Sequence, residues 1–128
     1  WTTMGHLYKG GMWFKKKSVL QAEAHYNTEK SADGSTDLRT TWKTYNNSGG
    51  SLHSGVPSAA DAGNYFYLPV LGWYLYGKLY GVASNGYYWS SSAHPGDSDA
   101  ACALYFDHTS VLVYTYYRYY GFRLGVLQ

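Results

Sequence analysis

The side chains that most often carry chemistry are few and scattered in this sequence. After residue 61 the only acidic residues are Asp97, Asp99 and Asp107, and the chain has a single cysteine, Cys102. A calcium site needs a cluster of carboxylate and carbonyl oxygens, and a zinc site needs closely spaced Cys and His, which the five histidines do not provide. No serine lies in the Gly-x-Ser-x-Gly motif of a hydrolase nucleophile. The sequence therefore predicts no catalytic residue, no metal site and no cofactor.

Tyrosine is the residue type that points to a function. The chain has 16 Tyr, and six of them lie between residues 105 and 120. Tyrosine combines a large contact area with few side-chain torsions and a hydroxyl that donates and accepts, and with small polar neighbours it dominates binding loops. An exposed run of tyrosines also favours aggregation unless a partner covers it. The composition therefore indicates a binding surface in the last third of the chain.

The same region lacks five residue types. Residues 90–127 contain no Lys, Glu, Gln, Met or Trp, whereas residues 1–89 contain 17 of them. Codons ending in C or T cannot encode these five, so a segment diversified at its first two codon positions would have this composition. The alternative is an ordinary Tyr-rich strand pair with an exposed aromatic face.

Length and charge narrow the class of protein. At 128 residues the chain is expected to form one domain, residues 1–128. Its ten basic and eight acidic side chains do not make the clustered basic face of a nucleic-acid-binding protein. No stretch is long enough for a membrane-spanning helix, and a single cysteine excludes an intrachain disulfide. The start at Trp1, without an initiator Met, indicates a fragment of a longer protein.

The elements that would position the tyrosines are predicted as few helices followed by several strands. Capping residues and apolar spacing predict helices over residues 18–26 and 36–45. A strand is predicted over residues 65–71, bounded at Pro69. This order predicts an α+β fold with two helices and small antiparallel sheets.

Strand parity organises the last third. Leu104 and Phe106 point to one side of their strand, as do Val111 and Val113, and these residues are expected to face the core. Tyr116 is expected to lie outside the core, so that its truncation would cost little stability.

Three motifs carry a resemblance to a known family. They are Phe66-Tyr67-Leu68-Pro69, Tyr87-Tyr88-Trp89-Ser90-Ser91-Ser92, and Arg118 followed by Gly121-Phe122-Arg123-Leu124. They resemble the Fibrobacter-type major paralogous domain common in Bacteroides-like gut bacteria, and the variable proteins of diversity-generating retroelements. The resemblance covers residues 65–128 well and the first half weakly. It implies a C-type-lectin-like fold, shared with formylglycine-generating enzyme, although the pair of reactive cysteines of that enzyme is lacking here.

In such variable proteins, fixed core residues brace a C-terminal surface of diversified side chains. The resemblance implies a display segment over about residues 90–120. Its fixed positions would be Trp89, Ala101, Leu104, Phe106, Val111, Val113, Arg118, Gly121 and Phe122. Its display positions would be Ala103, Tyr105, Asp107, His108, Ser110, Leu112, Tyr114, Thr115, Tyr116, Tyr117, Tyr119 and Tyr120. Adenine-directed diversification usually leaves some Asn, and none follows Asn85, so either the sites are thoroughly substituted or the variability is ordinary divergence.

The resulting hypothesis is a binding module without enzyme activity. It would present the display positions to a protein or cell-surface ligand, in adhesion or receptor binding, from the cell surface, as a secreted protein or on a phage virion. No nucleic-acid partner is expected, and the oligomeric state is not predicted. The alternative is a non-diversified carbohydrate-binding or structural surface domain of the same fold.

Overall fold

The structure, a computed structural model, describes residues 2–3, 6–7, 10–23, 35–38, 40–41, 43–46, 55–94 and 96–124. Most of these residues lie in strands. The strands are β1 (Thr2–Thr3), β2 (His6–Leu7), β3 (Gly11–Lys15), β4 (Thr44–Asn46), β5 (Tyr65–Pro69), β6 (Leu71–Leu75), β7 (Lys78–Val82), β8 (Gly86–Ala93), β9 (Ala100–Phe106), β10 (Ser110–Tyr117) and β11 (Arg123–Leu124).

One mixed sheet contains most of the strands. Six of them lie in the order β4-β10-β9-β8-β6-β7, and β11 pairs in parallel with β8. Strand β9 runs antiparallel to both β8 and β10, whereas β6 and β8 are parallel to each other. Strands β3 and β5 form a separate antiparallel pair, and β1 pairs with β2.

The core lies between the main sheet and the β3–β5 pair. Leu68 of β5 is buried with Tyr88 and Phe106 of the main sheet, and the ring of Phe14 meets the Phe106 ring edge-on at 5.6 Å between centroids. Phe106 is fully buried, at 0% exposure. Gly86 lies opposite it on β8, where a Cβ atom would collide with the Phe106 ring.

The strand parity of the last third places residues on the core side as predicted. Leu104 and Val111 pack against the buried cluster, and Val113 is paired with Leu104 in register. Side chains at paired positions of neighbouring strands lie on the same face of a sheet. The prediction of one apolar face for this strand pair is therefore confirmed.

The helices are shorter than predicted. Helix α1 spans Lys17–Ala22, a 3-10 turn spans Ala62–Asn64, and no helix among the described residues reaches seven residues. The end of the first predicted helix, residues 24–26, lies outside the described residues. None of the described helices is long and apolar enough to cross a membrane.

The second predicted helix, residues 36–45, is replaced by a turn and a strand. The amide of Thr41 bonds to the carbonyl of Asp37, and the chain then enters β4, where Tyr45 pairs with Val111. Four of the ten residues in this stretch are Thr. Their β-branched side chains lower helix propensity and favour strands, and the open edge of β10 supplies the partner.

These elements correct the predicted fold class. Over the described residues the fold is mostly β, with one large mixed sheet and two small two-stranded sheets, and these residues lack the two helices of the predicted α+β fold with small antiparallel sheets. The C-type-lectin-like assignment that the resemblance implied is accordingly wrong for this chain. Helix spacing in residues 36–45 was misleading, because tertiary pairing outweighs a weak local preference.

Candidate recognition surface

The second face of the main sheet is built from aromatic side chains. In the β9–β10 pair, Tyr105 lies opposite Leu112, and Tyr116 lies opposite Ala101. Strand β8 adds Tyr87, which pairs with Tyr105 on the same face. The rings of Tyr87 and Tyr105 are 4.9 Å apart between centroids. The face opposite the core is thus covered by rings rather than by charged side chains.

Tyr116 lies at the centre of this aromatic face. Its ring centroid is 5.0 Å from that of Phe122, 5.5 Å from Tyr114, 5.6 Å from Tyr87 and 6.2 Å from Tyr120. Burial, reinforced by the neighbouring phenols, raises the pKa of Tyr116 well above its usual range. Tyr116 thus lies outside the core cluster, as predicted, but it is partly buried because its ring joins a second aromatic cluster on the opposite face of the sheet.

Ala103 is not part of any accessible surface. It is fully buried, at 0% exposure, between its register partners Trp89 and Tyr114. The two large rings on the neighbouring strands cover the small side chain between them. The prediction of Ala103 as a display position is wrong for this reason.

Asp107 organises the turn that joins β9 to β10. Its Oδ1 accepts hydrogen bonds from the amide and hydroxyl of Thr109, both at 2.8 Å, and from the amide of Ser110 at 2.8 Å. Its Oδ2 accepts from the Tyr105 hydroxyl at 2.8 Å. Burial alone would raise the pKa of Asp107, but these donors outweigh it and hold the pKa well below its usual range. A side chain so fully engaged positions the turn more than it offers bonds to a ligand.

Tyr105 links this turn to the loop before β8. Its hydroxyl accepts a hydrogen bond from Asn85 Nδ2 at 2.9 Å while donating to Asp107. Burial, followed by the bond to Asp107, raises the pKa of Tyr105 to about 12. The Asn85–Tyr105–Asp107 chain therefore fixes one end of the hairpin.

The exposed tyrosines lie at the opposite end of β10. Tyr117 and Tyr119 are 50% and 61% exposed, and their rings are stacked at 5.5 Å with planes 9° apart. Tyr119 also stacks on Tyr120 at 4.9 Å and on Tyr76, from the β6–β7 turn, at 6.3 Å. We call Tyr76, Tyr117, Tyr119 and Tyr120 the tyrosine surface. These rings therefore stack on one another in the absence of a ligand, which reduces the conformational freedom that binding would have to remove.

The remaining predicted display positions divide by exposure. His108 is exposed at the tip of the turn, and the Ser110 hydroxyl is bonded to Asp107 at 3.2 Å. Leu112 and Tyr114 are partly buried on the aromatic face, and Thr115 is partly buried opposite Cys102. The turn and the tyrosine surface are separated by the length of β10, roughly 25 Å for eight residues. The structure therefore does not bring all predicted positions into one patch.

Two predicted scaffold residues brace the tyrosine surface. The amide of Arg118 bonds to the Asp99 carbonyl at 2.9 Å, and its Nε donates to the Ala100 carbonyl at 3.4 Å. Gly121 exchanges two backbone bonds of 2.8 Å with Tyr74, where a Cβ atom would press against the Tyr74 side chain. These contacts tie the segment after β10 to the loop before β9 and to β6.

Sequence reasoning missed the contribution of the β6–β7 hairpin. Tyr76 is the most exposed large hydrophobic side chain of the described residues, at 86%. On the other side of the hairpin, an apolar groove of about 430 Å³ is lined by Leu71, Tyr74, Leu79 and Val82, with Phe122 and Arg123 at its wall. The sequence signal for it was available, because residues 71–82 lack the alternation of apolar and polar side chains that an ordinary edge hairpin shows.

The structure provides no site for a metal within the part of the chain that it describes, since no three His, Cys, Asp or Glu side chains converge. Cys102 is buried, and burial raises the pKa of its thiol, so the reactive thiolate is disfavoured. His94 accepts a hydrogen bond from the Gly96 amide at its own loop.

The described geometry thus consists of a rigid mostly-β scaffold and an exposed tyrosine surface. No family model, no curated protein and no solved structure matches this chain.

Proposed function

We propose that the chain is a recognition module that presents the tyrosine surface, with the neighbouring aromatic face, to a protein or cell-surface ligand. The observation that carries the proposal is the stack of Tyr76, Tyr117, Tyr119 and Tyr120, in which the first three rings are exposed and Tyr120 is partly buried. A cluster of exposed aromatic rings favours aggregation unless a partner covers it. Tyrosine anchors at the centre of an interface supply much of its binding energy. The module has no catalytic role in this proposal.

Separation of scaffold from surface supports the proposal. The core face of β9 and β10 holds Phe106, Leu104 and Val111, while the tyrosine surface begins where β10 ends. Substitutions at Tyr117 or Tyr119 would therefore change the surface without entering the core. Such independence is what a diversified binding protein requires, because each new variant must still fold.

The proposal includes diversification of the kind found in the variable proteins of diversity-generating retroelements, carried here by a mostly-β scaffold. The composition of residues 90–127 supports it. The protein would act outside the cytoplasm, at a cell surface, as a secreted protein or on a phage virion. The genomic test is a repeat near the gene that differs from the coding segment only at adenines. A locus without such a repeat would remove diversification from the proposal.

A pair of libraries tests the recognition role directly. One library varies the exposed residues His108, Tyr117 and Tyr119 and the partly buried Tyr120. The matched library varies core positions, Leu104, Phe106, Val111 and Val113. Both are displayed on yeast and sorted separately for expression and for binding to lysozyme as an unrelated test protein. We expect the surface library to express at near-parental levels and to yield binders, and the core library to lose expression. Equal loss of expression in the two libraries would contradict the proposal.

A further inference from the structure

Tyr76 occupies a position that the local backbone disfavours for its side chain. It is the first central residue of a two-residue hairpin turn and has a φ of 49°, and Gly77 follows with a φ of 76°. Turns with two positive φ values favour Asn, Asp or Gly, and a bulky side chain there is strained. The strain is combined with 86% exposure, so core packing does not explain the tyrosine. A strained residue that packing does not require is a candidate for a functional role.

The contact that Tyr76 makes is to another exposed tyrosine. Its ring lies 6.3 Å from that of Tyr119, centroid to centroid, with planes 19° apart. Tyr119 is 61% exposed and follows β10, so the contact joins two elements that are distant in sequence. Exposed side chains rotate within nanoseconds, so small movements bring the ring carbons beside the two hydroxyls into contact.

We propose that Tyr76 and Tyr119 form an oxidative cross-linking site, at which a haem peroxidase with hydrogen peroxide joins the two phenol rings as dityrosine. Each phenol loses one electron and its hydroxyl proton, and the two phenoxyl radicals couple through the ring carbons next to the hydroxyls. One carbon–carbon bond forms, and two ring carbon–hydrogen bonds break as each ring regains its hydroxyl. The peroxide accepts two electrons and two protons and leaves as two water molecules.

The cross-link would fasten the β6–β7 hairpin to the segment that carries the tyrosine surface. The two residues close a loop of about 40 residues, and covalent closure of such a loop stabilises a protein chiefly by restricting its unfolded chain. The site is independent of the proposed recognition function, because it requires only the two exposed rings and an oxidant. It would make the module more resistant to unfolding in an oxidising extracellular setting.

The sequence allows the product to be assigned by peptide mapping. Trypsin cleaves after Lys43, Lys78, Arg118 and Arg123, so Tyr76 lies in peptide 44–78 and Tyr119 in peptide 119–123. Cleavage after Arg118 also separates Tyr119 from Tyr117, whose ring stacks on it. A Tyr76–Tyr119 product is therefore peptide 44–78 joined to peptide 119–123, detected by mass spectrometry and by dityrosine fluorescence. Because peptide 119–123 also contains Tyr120, the Tyr119→Phe variant identifies which of its two tyrosines reacts.

The full chain is treated with a haem peroxidase and limiting hydrogen peroxide, at a protein concentration low enough to disfavour coupling between molecules. We expect the joined peptides in the parent protein and their loss to background in Tyr76→Phe and in Tyr119→Phe. The matched control is Tyr74→Phe, which removes a tyrosine from the same peptide. Tyr74 is 53% exposed and makes no ring contact among the described residues. The Tyr74→Phe variant should leave the yield of joined peptides unchanged. The oxidised parent protein should melt several degrees higher than the untreated parent protein.

Three results would overturn the site. They are an unchanged yield of joined peptides in Tyr76→Phe, an equal loss of yield in Tyr74→Phe, and dimers between separate molecules as the main product. A parallel reaction in urea checks that the fold brings the rings together, since unfolding should abolish the joined peptides. Phenylalanine preserves the ring in every variant, and near-ultraviolet circular dichroism before oxidation confirms that each variant has folded.

Discussion

At the scale of single residues, the rings on the two faces of the sheet differ in burial and should differ in energetic weight. Phe106→Ala should cost about 3–5 kcal/mol, as for other fully buried aromatics. Tyr116→Ala should cost about 2 kcal/mol, because its ring contacts four aromatic neighbours although it is only partly buried. Tyr117→Ala should cost less than about 1 kcal/mol, since the ring is half exposed. Urea denaturation measures all three, and a cost for Tyr117 above that for Tyr116 would contradict the assigned burial.

Asp107 should make the free energy of unfolding fall as the pH is lowered in acidic solution. Its pKa is lower in the folded chain than the usual value of about 3.9 in an unfolded chain. The carboxylate therefore stabilises the fold above about pH 4, and this contribution is lost as the pH falls towards the depressed folded pKa. Asp107→Asn should flatten the decline of the urea midpoint between about pH 5 and pH 2. Asp99→Asn serves as the control, and an unchanged decline in the Asp107 variant would exclude the turn as its source.

At the scale of elements, the β6–β7 turn offers a test of backbone strain. Tyr76→Asn should stabilise the protein by about 0.5–1 kcal/mol, because Asn tolerates a positive φ better than Tyr and only an exposed ring stack is lost. Gly77→Ala should destabilise it by about 1 kcal/mol, because Gly77 also has a positive φ. Thermal melting of the two variants should therefore shift in opposite directions. A lower melting temperature for Tyr76→Asn would mean that the Tyr119 stack outweighs the strain.

The elements also show how far the sequence could predict this structure. The parity of Leu104, Phe106, Val111 and Val113 was predictable because a strand face needs only local alternation. The strand at residues 44–46 was not, because its stability comes from pairing with β10, which lies 66 residues further along. The β6–β7 contribution to the tyrosine surface was missed for the same reason, since the Tyr76–Tyr119 contact joins residues whose proximity depends on the sheet order. Ala103 was misassigned because parity gives the face of a residue but not the size of its neighbours.

At the scale of the whole molecule, phenol hydroxyls hold neighbouring elements together on each of the two faces of the main sheet, and each donates a hydrogen bond that requires its proton. The Tyr88 hydroxyl donates to the Pro69 carbonyl at 2.7 Å and so links the main sheet to β5, while Tyr105 links β9 to the loop before β8. Burial raises the pKa of Tyr88 to about 12, and burial with the bond to Asp107 does the same for Tyr105. In an unfolded chain both phenols would lose their protons near pH 10.

The fold should therefore lose stability in alkaline solution by a defined mechanism. Because the folded pKa of each phenol exceeds the unfolded value, the neutral phenols stabilise the fold fully below about pH 10. This contribution is lost as the pH rises through about 12, because the unfolded chain releases its protons first. The urea midpoint should fall steeply between these values, and less steeply in Tyr88→Phe and Tyr105→Phe, whose ring cannot ionise. The control is Val56→Ala, which changes an exposed apolar residue and should keep the parental dependence of the urea midpoint on pH. If neither phenylalanine variant changes the dependence of the urea midpoint on pH, alkaline unfolding begins elsewhere, and deprotonation of these two phenols is not its cause.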